Sequence, residues 1–186
     1  MLPDVRERDM NLKEFDESIR RVKDFPKPGI NFYDITSILT NSEAFGYCLE
    51  QMNLWIDELE VDTLLAVEAR GFLFAAPLAQ MRKIPLVLAR KKGKLPGKTW
   101  CEEYSLEYGT DVVCIQQEDI APGSRVLLID DLIATGGTLK ATAALVKNQA
   151  RSSLAGYAAV IGLPFLGYEK HLDDAPIRTL INYQGE

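Results

Sequence analysis

The chain has 186 residues, 47% hydrophobic and 26% charged, which is enough apolar material for one sizeable core in a single domain. Lysine and arginine total 21 against 27 acids, a formal charge of −6, which argues against a general binder of nucleic acid or of anionic membranes. One histidine, three scattered cysteines (Cys48, Cys101, Cys114) and no CxxC or HExxH spacing argue against a protein-ligated zinc and a disulfide framework, and fit a reducing cytosol.

The first ten residues are charged and lack an apolar signal core, and no apolar run approaches the ~20 residues of a membrane span. Leu12, Phe15, Ile19 and Val22 recur at helical spacing and predict a helix over residues 11–22. Pro26, Pro28 and Gly29 cannot continue it. Ser42 is placed to cap a second helix running to about residue 59. Short apolar runs at 63–67, 85–89, 125–129 and 154–163 then alternate with helical stretches at 71–81 and about 137–149. Continuous apolar strands alternating with helices predict an α/β fold, a mostly parallel twisted sheet flanked by helices. Residues 104–115, broken at Gly109-Thr110, predict a hairpin outside that pattern. Ligands of such sheets sit at the carboxyl ends of strands, so chemistry is expected in the loops after Val67, Ala89 and Asp131.

Four segments there carry chemistry. In Val126-Leu127-Leu128-Ile129-Asp130-Asp131, an apolar strand ends in two carboxylates. The small residues Ala134, Thr135, Gly136, Gly137 and Thr138 follow, at a helix start. Their N–H groups and hydroxyls suit one anion, with the helix dipole behind them. The spacing is not that of a Walker loop. The acids suit ribose hydroxyls, the waters of a Mg²⁺ ion, or both. Glu68-Ala69-Arg70-Gly71-Phe72 follows a strand and suits a pyrophosphate, although a helix start with a surface arginine reads the same. Residues 82–98 hold seven basic residues and no acid, with Gly93, Pro96 and Gly97 as hinges, and predict a mobile anion-binding loop. In Tyr104-Ser105-Leu106-Glu107-Tyr108-Gly109, Glu107 is a candidate proton-transfer group.

Taken together these strings resemble the purine phosphoribosyltransferases, most closely the adenine-specific members, from Asp24 onward. The acid-loop string is the signature for phosphoribosyl pyrophosphate (PRPP) across the type I fold. Gly93-Lys94-Leu95-Pro96-Gly97 with Tyr104-Ser105-Leu106-Glu107-Tyr108-Gly109 is narrower and points to adenine. The resemblance implies one type I phosphoribosyltransferase domain over 1–186, with an N-terminal helix and small hood at about 11–40, a core at about 60–170, and a mobile catalytic loop. It implies that residues 134–138 hold the 5′-phosphate and that Asp130 and Asp131 serve the ribose hydroxyls and, indirectly, Mg²⁺. Glu68, Ala69, Arg70, Arg90, Lys91 and Lys94 would hold pyrophosphate, with Arg70 catalytic. Glu107 would be the general acid/base, and Asn31, Phe32, Tyr33 and Tyr108 would contact the base. Adenine enzymes commonly carry Arg where Tyr33 stands, and a tyrosine supplies no guanidinium fork. The implied reaction joins adenine and PRPP to give AMP and pyrophosphate, in a cytoplasmic homodimer. Transfer to hypoxanthine or guanine, and a non-catalytic PRPP sensor on the same fold, remain the alternatives.

Overall fold

The computed structural model describes residues 10–105, 109–172 and 175–185. The chain divides into two compact units, one up to Glu50 and one from Gln51 onward. The first holds α1 (Leu12–Ser18), a two-stranded antiparallel ribbon of β1 (Arg20–Lys23) and β2 (Asn31–Asp34), the single turn α2 (Thr36–Leu39) and the start of α3 (Ser42–Glu58). Asn11 begins α1 with a capping box: Oδ1 accepts from the N–H groups of Lys13 and Glu14, and Glu14 accepts from the Asn11 N–H.

The helix expected over 11–22 stops at Ser18. Val22 instead faces Phe32 across the ribbon, and the Arg20 N–H donates to Ser37 Oγ at 2.9 Å. A strand partner ten residues away overrides local periodicity. The cap of α3 is Asn41 rather than Ser42, since Asn41 Oδ1 accepts from Glu43 and Ala44.

The second unit follows the expected alternation: β3 (Thr63–Val67), α4 (Gly71–Arg82), β4 (Leu86–Lys91), β5 (Thr99–Ser105), β6 (Thr110–Gln116), β7 (Arg125–Ile133), α5 (Gly137–Ala144), β8 (Ser153–Gly162) and β9 (Ile177–Asn182). A π-helical turn, Leu145–Gln149, extends α5. The sheet order is β5-β6-β4-β3-β7-β8-β9. Strands β4, β3, β7, β8 and β9 are parallel, and β6 and β5 add antiparallel at one edge. The hairpin expected to stand apart is therefore the edge of the same sheet. Strand β9 was not expected from the sequence.

All five residues of β3 are buried, as are Val126 to Ile129 of β7. That explains their unbroken apolar runs, since a central parallel strand meets helices on both faces. Each fully buried Leu or Ile contributes about 1.5–3 kcal/mol. No helix among the described residues is long and apolar enough to cross a membrane.

Cys101 and Cys114 face each other across β5 and β6 with Cα atoms 4.1 Å apart and form a disulfide, while Cys48 stays free and buried. This corrects the expectation of three unpaired cysteines. Their sequence separation of 13 has no meaning until the hairpin register makes them direct neighbours.

Candidate active site

The chain runs from β3 to β4 on one side and places β7 on the other, so the sheet has a switch point between β3 and β7. Such points open a crevice at the carboxyl ends of the strands. The Glu68-Ala69-Arg70 loop, whose first peptide bond is cis, leaves β3 there. Gly71 opens α4 directly against β7: a Cβ at this position would lie 2.6 Å from the Ile129 carbonyl oxygen and 3.1 Å from Asp130 Cα. Only glycine lets the loop come this close to the acid pair.

Strand β7 does not end at Ile129 but continues through both acids to Ile133. The ladder therefore holds Asp130 and Asp131 rigidly. Asp131 is buried, and Arg70 Nε lies 3.0 Å from its Oδ2 as an ion pair whose angle makes no hydrogen bond. Asp131 Oδ2 thus remains a buried acceptor without a hydrogen-bond partner among the described residues. The Asp131 N–H donates to Asp130 Oδ1 at 2.8 Å. Burial, then the neighbouring Asp131 charge, pushes the Asp130 carboxyl well above the usual range. Burial also raises Asp131, against the pull of Arg70.

Below the acids, residues 130–139 except Asp131 line a hollow of about 110 Å³. Gly136 precedes α5 in the left-handed region at φ 79°, and no side chain caps the helix, Thr135 included. The first-turn N–H groups therefore meet no side-chain cap, and a helix start of this kind can accept an anion.

A second hollow of about 250 Å³ joins the two halves of the crevice. Glu68, Ala69, Arg70, Arg90 and Lys91 line it opposite Asp130, Asp131, Ala134 and Thr138. Arg90 donates from Nη2 to Glu68 Oε1 at 3.1 Å and from Nε to Oε2 at 3.3 Å, and the Lys91 N–H adds a bond of 3.0 Å to Oε2. Arg90 is the first cause of the lowered Glu68 carboxyl. Beyond Tyr104, which lines both, a wider groove of about 520 Å³ runs between β5 and α5 to His171.

The crevice therefore gathers Glu68, Ala69, Arg70, Arg90, Lys91, Asp130, Asp131 and residues 134–138. Lys94 sits in the turn after β4, where its carbonyl accepts from Arg90 Nη1 at 3.1 Å, and does not line the hollow. Asn31, Phe32 and Tyr33 lie on β2 in the first unit: Tyr33 is buried, and Phe32 meets Phe25 edge-on at 5.0 Å. Glu107 and Tyr108 lie outside the described residues. Asp111 was overlooked in the sequence. It touches Lys91 and Tyr104, and only the pairing of β4, β5 and β6 reveals it.

The crevice can bind a phosphate at α5, a diol at the acids and a second anionic group at Arg70, Arg90 and Lys91. Among the described residues no cluster of three or more His, Cys, Asp or Glu stands ready to hold a metal. Two carboxylates with one unsatisfied oxygen instead fit a Mg²⁺ ion that keeps its waters and phosphate oxygens.

The model of the phosphoribosyl transferase domain matches residues 37–163. The chain is 52% identical over 177 residues to the adenine phosphoribosyltransferase of Treponema denticola, across 95% of this chain and 93% of that one. A crystal structure of adenine phosphoribosyltransferase from Thermoanaerobacter pseudethanolicus superposes with a TM-score of 0.88 at 42% identity, over 93% of this chain and all (100%) of that one. The Saccharomyces cerevisiae enzyme, complexed with an imino-altritol bisphosphate and adenine, gives 0.87 at 36% identity, over 91% and 98%.

Proposed function

The chain belongs to the phosphoribosyl transferase family, in its adenine phosphoribosyltransferase branch, and from that membership we propose how its crevice works. The protein transfers the 5-phosphoribosyl group of PRPP to N9 of adenine, giving AMP and pyrophosphate. The observation that carries this reading is the β3–β7 crevice, where an uncapped helix start and a buried acid pair face Arg70, Arg90 and Lys91.

The N–H groups and hydroxyls of residues 134–138 hold the 5′-phosphate. Asp130 and Asp131 accept from the ribose hydroxyls and, through these or through water, orient a Mg²⁺ ion, which when bound neutralises charge on the diphosphate. Arg70, with Glu68 and Ala69 shaping its loop, and Arg90 and Lys91 from β4 stabilise the charge that grows on the leaving diphosphate. Lys94, on the turn after β4, is assigned to the same group by the family resemblance, although it does not line the hollow of about 250 Å³. As the C1–oxygen bond breaks, its electron pair leaves with the diphosphate, the N9 lone pair of N7-protonated adenine bonds to C1, and the Glu107 carboxylate takes the proton from N7. Closure of the basic loop excludes water.

Asn31, Phe32, Tyr33 and Tyr108 are assigned to the base. A homodimer in the cytoplasm completes the proposal. A reducing compartment would keep Cys101 and Cys114 as facing thiols.

Purified protein given radiolabelled adenine, PRPP and Mg²⁺ should form AMP, and an excess of unlabelled hypoxanthine or guanine should not suppress it. Absence of AMP would sink the proposal. Glu107→Gln should lower kcat by about 10²–10⁴-fold with little change in PRPP affinity. Equal losses in both would contradict the proton-transfer role.

A further inference from the structure

Of the two β4 cations at the crevice, Arg90 pairs inward with Glu68, whereas the Lys91 side chain turns to a residue outside the lining. Lys91 Nζ lies 2.9 Å from Asp111 Oδ2, at the start of β6. The same oxygen accepts from the Tyr104 hydroxyl at 3.5 Å. Oδ1 accepts from the Val112 N–H at 2.8 Å, which fixes the carboxylate plane. Tyr104 stands opposite Asp111 on β5, and Lys91 opposite Val113 on β4, so three adjacent strands converge on one carboxylate. Both Lys91 and Tyr104 line the hollow of about 250 Å³, and Asp111 does not. The hydrogen bond with Lys91 is the first cause of the lowered Asp111 carboxyl, and Asp111 likewise raises Lys91, so both stay charged through neutral pH.

We propose that Asp111 is a positioning residue for the transfer, holding Lys91 and Tyr104 at the rim of the hollow that receives the diphosphate of PRPP. A lysine is a flexible point charge, and ordering it during binding costs free energy that a preset ion pair removes. Tyr104 gains a fixed hydroxyl, which anchors β5 beside α5: a Cβ on Gly137 would meet the Tyr104 ring at 3.7 Å and the Ser105 carbonyl at 3.5 Å. The inference rests on the assignment of Lys91 to the diphosphate.

Asp111→Asn is the test, because an amide oxygen still accepts from Val112 while the charge is lost. The KM and the directly measured Kd for PRPP should rise roughly 3- to 10-fold, with the KM for adenine and the thermal midpoint unchanged. In a Lys91→Ala background the same replacement should have a much smaller effect. An unchanged or tighter PRPP Kd in Asp111→Asn overturns the proposal, as does an unchanged Kd in Lys91→Ala. A lower thermal midpoint without any change in PRPP affinity marks a purely structural pair and also overturns it. Wild-type protein that binds PRPP but makes no AMP would defeat the transferase reading alone, since the Kd comparison still decides the role of Asp111.

Discussion

Asp130 and Asp131 show how one residue type acquires two environments within a single strand. Alternation on β7 turns Asp131 toward Arg70 and leaves Asp130, which also lines the hollow, with no ion pair among the described residues to offset the cost of its burial. Burial is the first cause of its raised carboxyl, so the folded state holds a proton that the unfolded chain releases. The stabilisation from that proton is complete below the ordinary carboxylate range and is lost as pH rises through the raised value. Asp130→Asn should therefore melt a few degrees above wild type at pH 8 in the presence of a chelator, with the gap closing on acidification. Its transferase activity should be lost. A variant less stable than wild type at pH 8 would show that the Asp130 charge is not a burden to the fold. Cys48 is the opposite case: burial pushes its thiol up to about 12, which removes it from chemistry.

The hairpin of β5 and β6 joins three devices: the Asp111 contacts, the edge pairing with β4, and the Cys101–Cys114 bridge. Cys101 and Cys114 lie on either side of Glu107 in the sequence, so in oxidised protein the bridge ties the two strands that flank the proposed acid/base. A bridge closing a loop of 13 residues contributes up to about 3 kcal/mol. Protein purified without reductant and then denatured should titrate one thiol per chain, that of Cys48, and three after reduction. Three thiols before reduction would refute the bridge in the isolated protein. Element boundaries show where sequence patterns stop short. The run 12, 15, 19, 22 has helical spacing, but β2 captures its second half as a strand.

Across the whole molecule, α4 connects the Glu68-Ala69-Arg70 loop to an open surface. Its outer face presents Leu73, Ala76, Pro77 and Met81, with Leu73 44% and Met81 54% exposed. That apolar row supports the proposed homodimer. Met81→Lys combined with Leu73→Lys should shift the protein toward monomer in sedimentation, because a paired face would bury four charges. An unchanged oligomeric state would place the interface elsewhere.

Sequence alone determined the alternation of strands and helices, the acid pair above the glycine loop and the basic stretch at residues 82–98. Each is a local pattern whose chemistry depends on residues close together in the chain. Tertiary structure decided what depends on pairing between distant segments. It closed α1 early, carried β7 through its acids and brought Cys101 to Cys114. It also required Gly71 to be bare against the Ile129 carbonyl and set Asp111 behind Lys91. These contacts arise from strand register and from the switch in strand order, and neither leaves a mark within a window of ten residues.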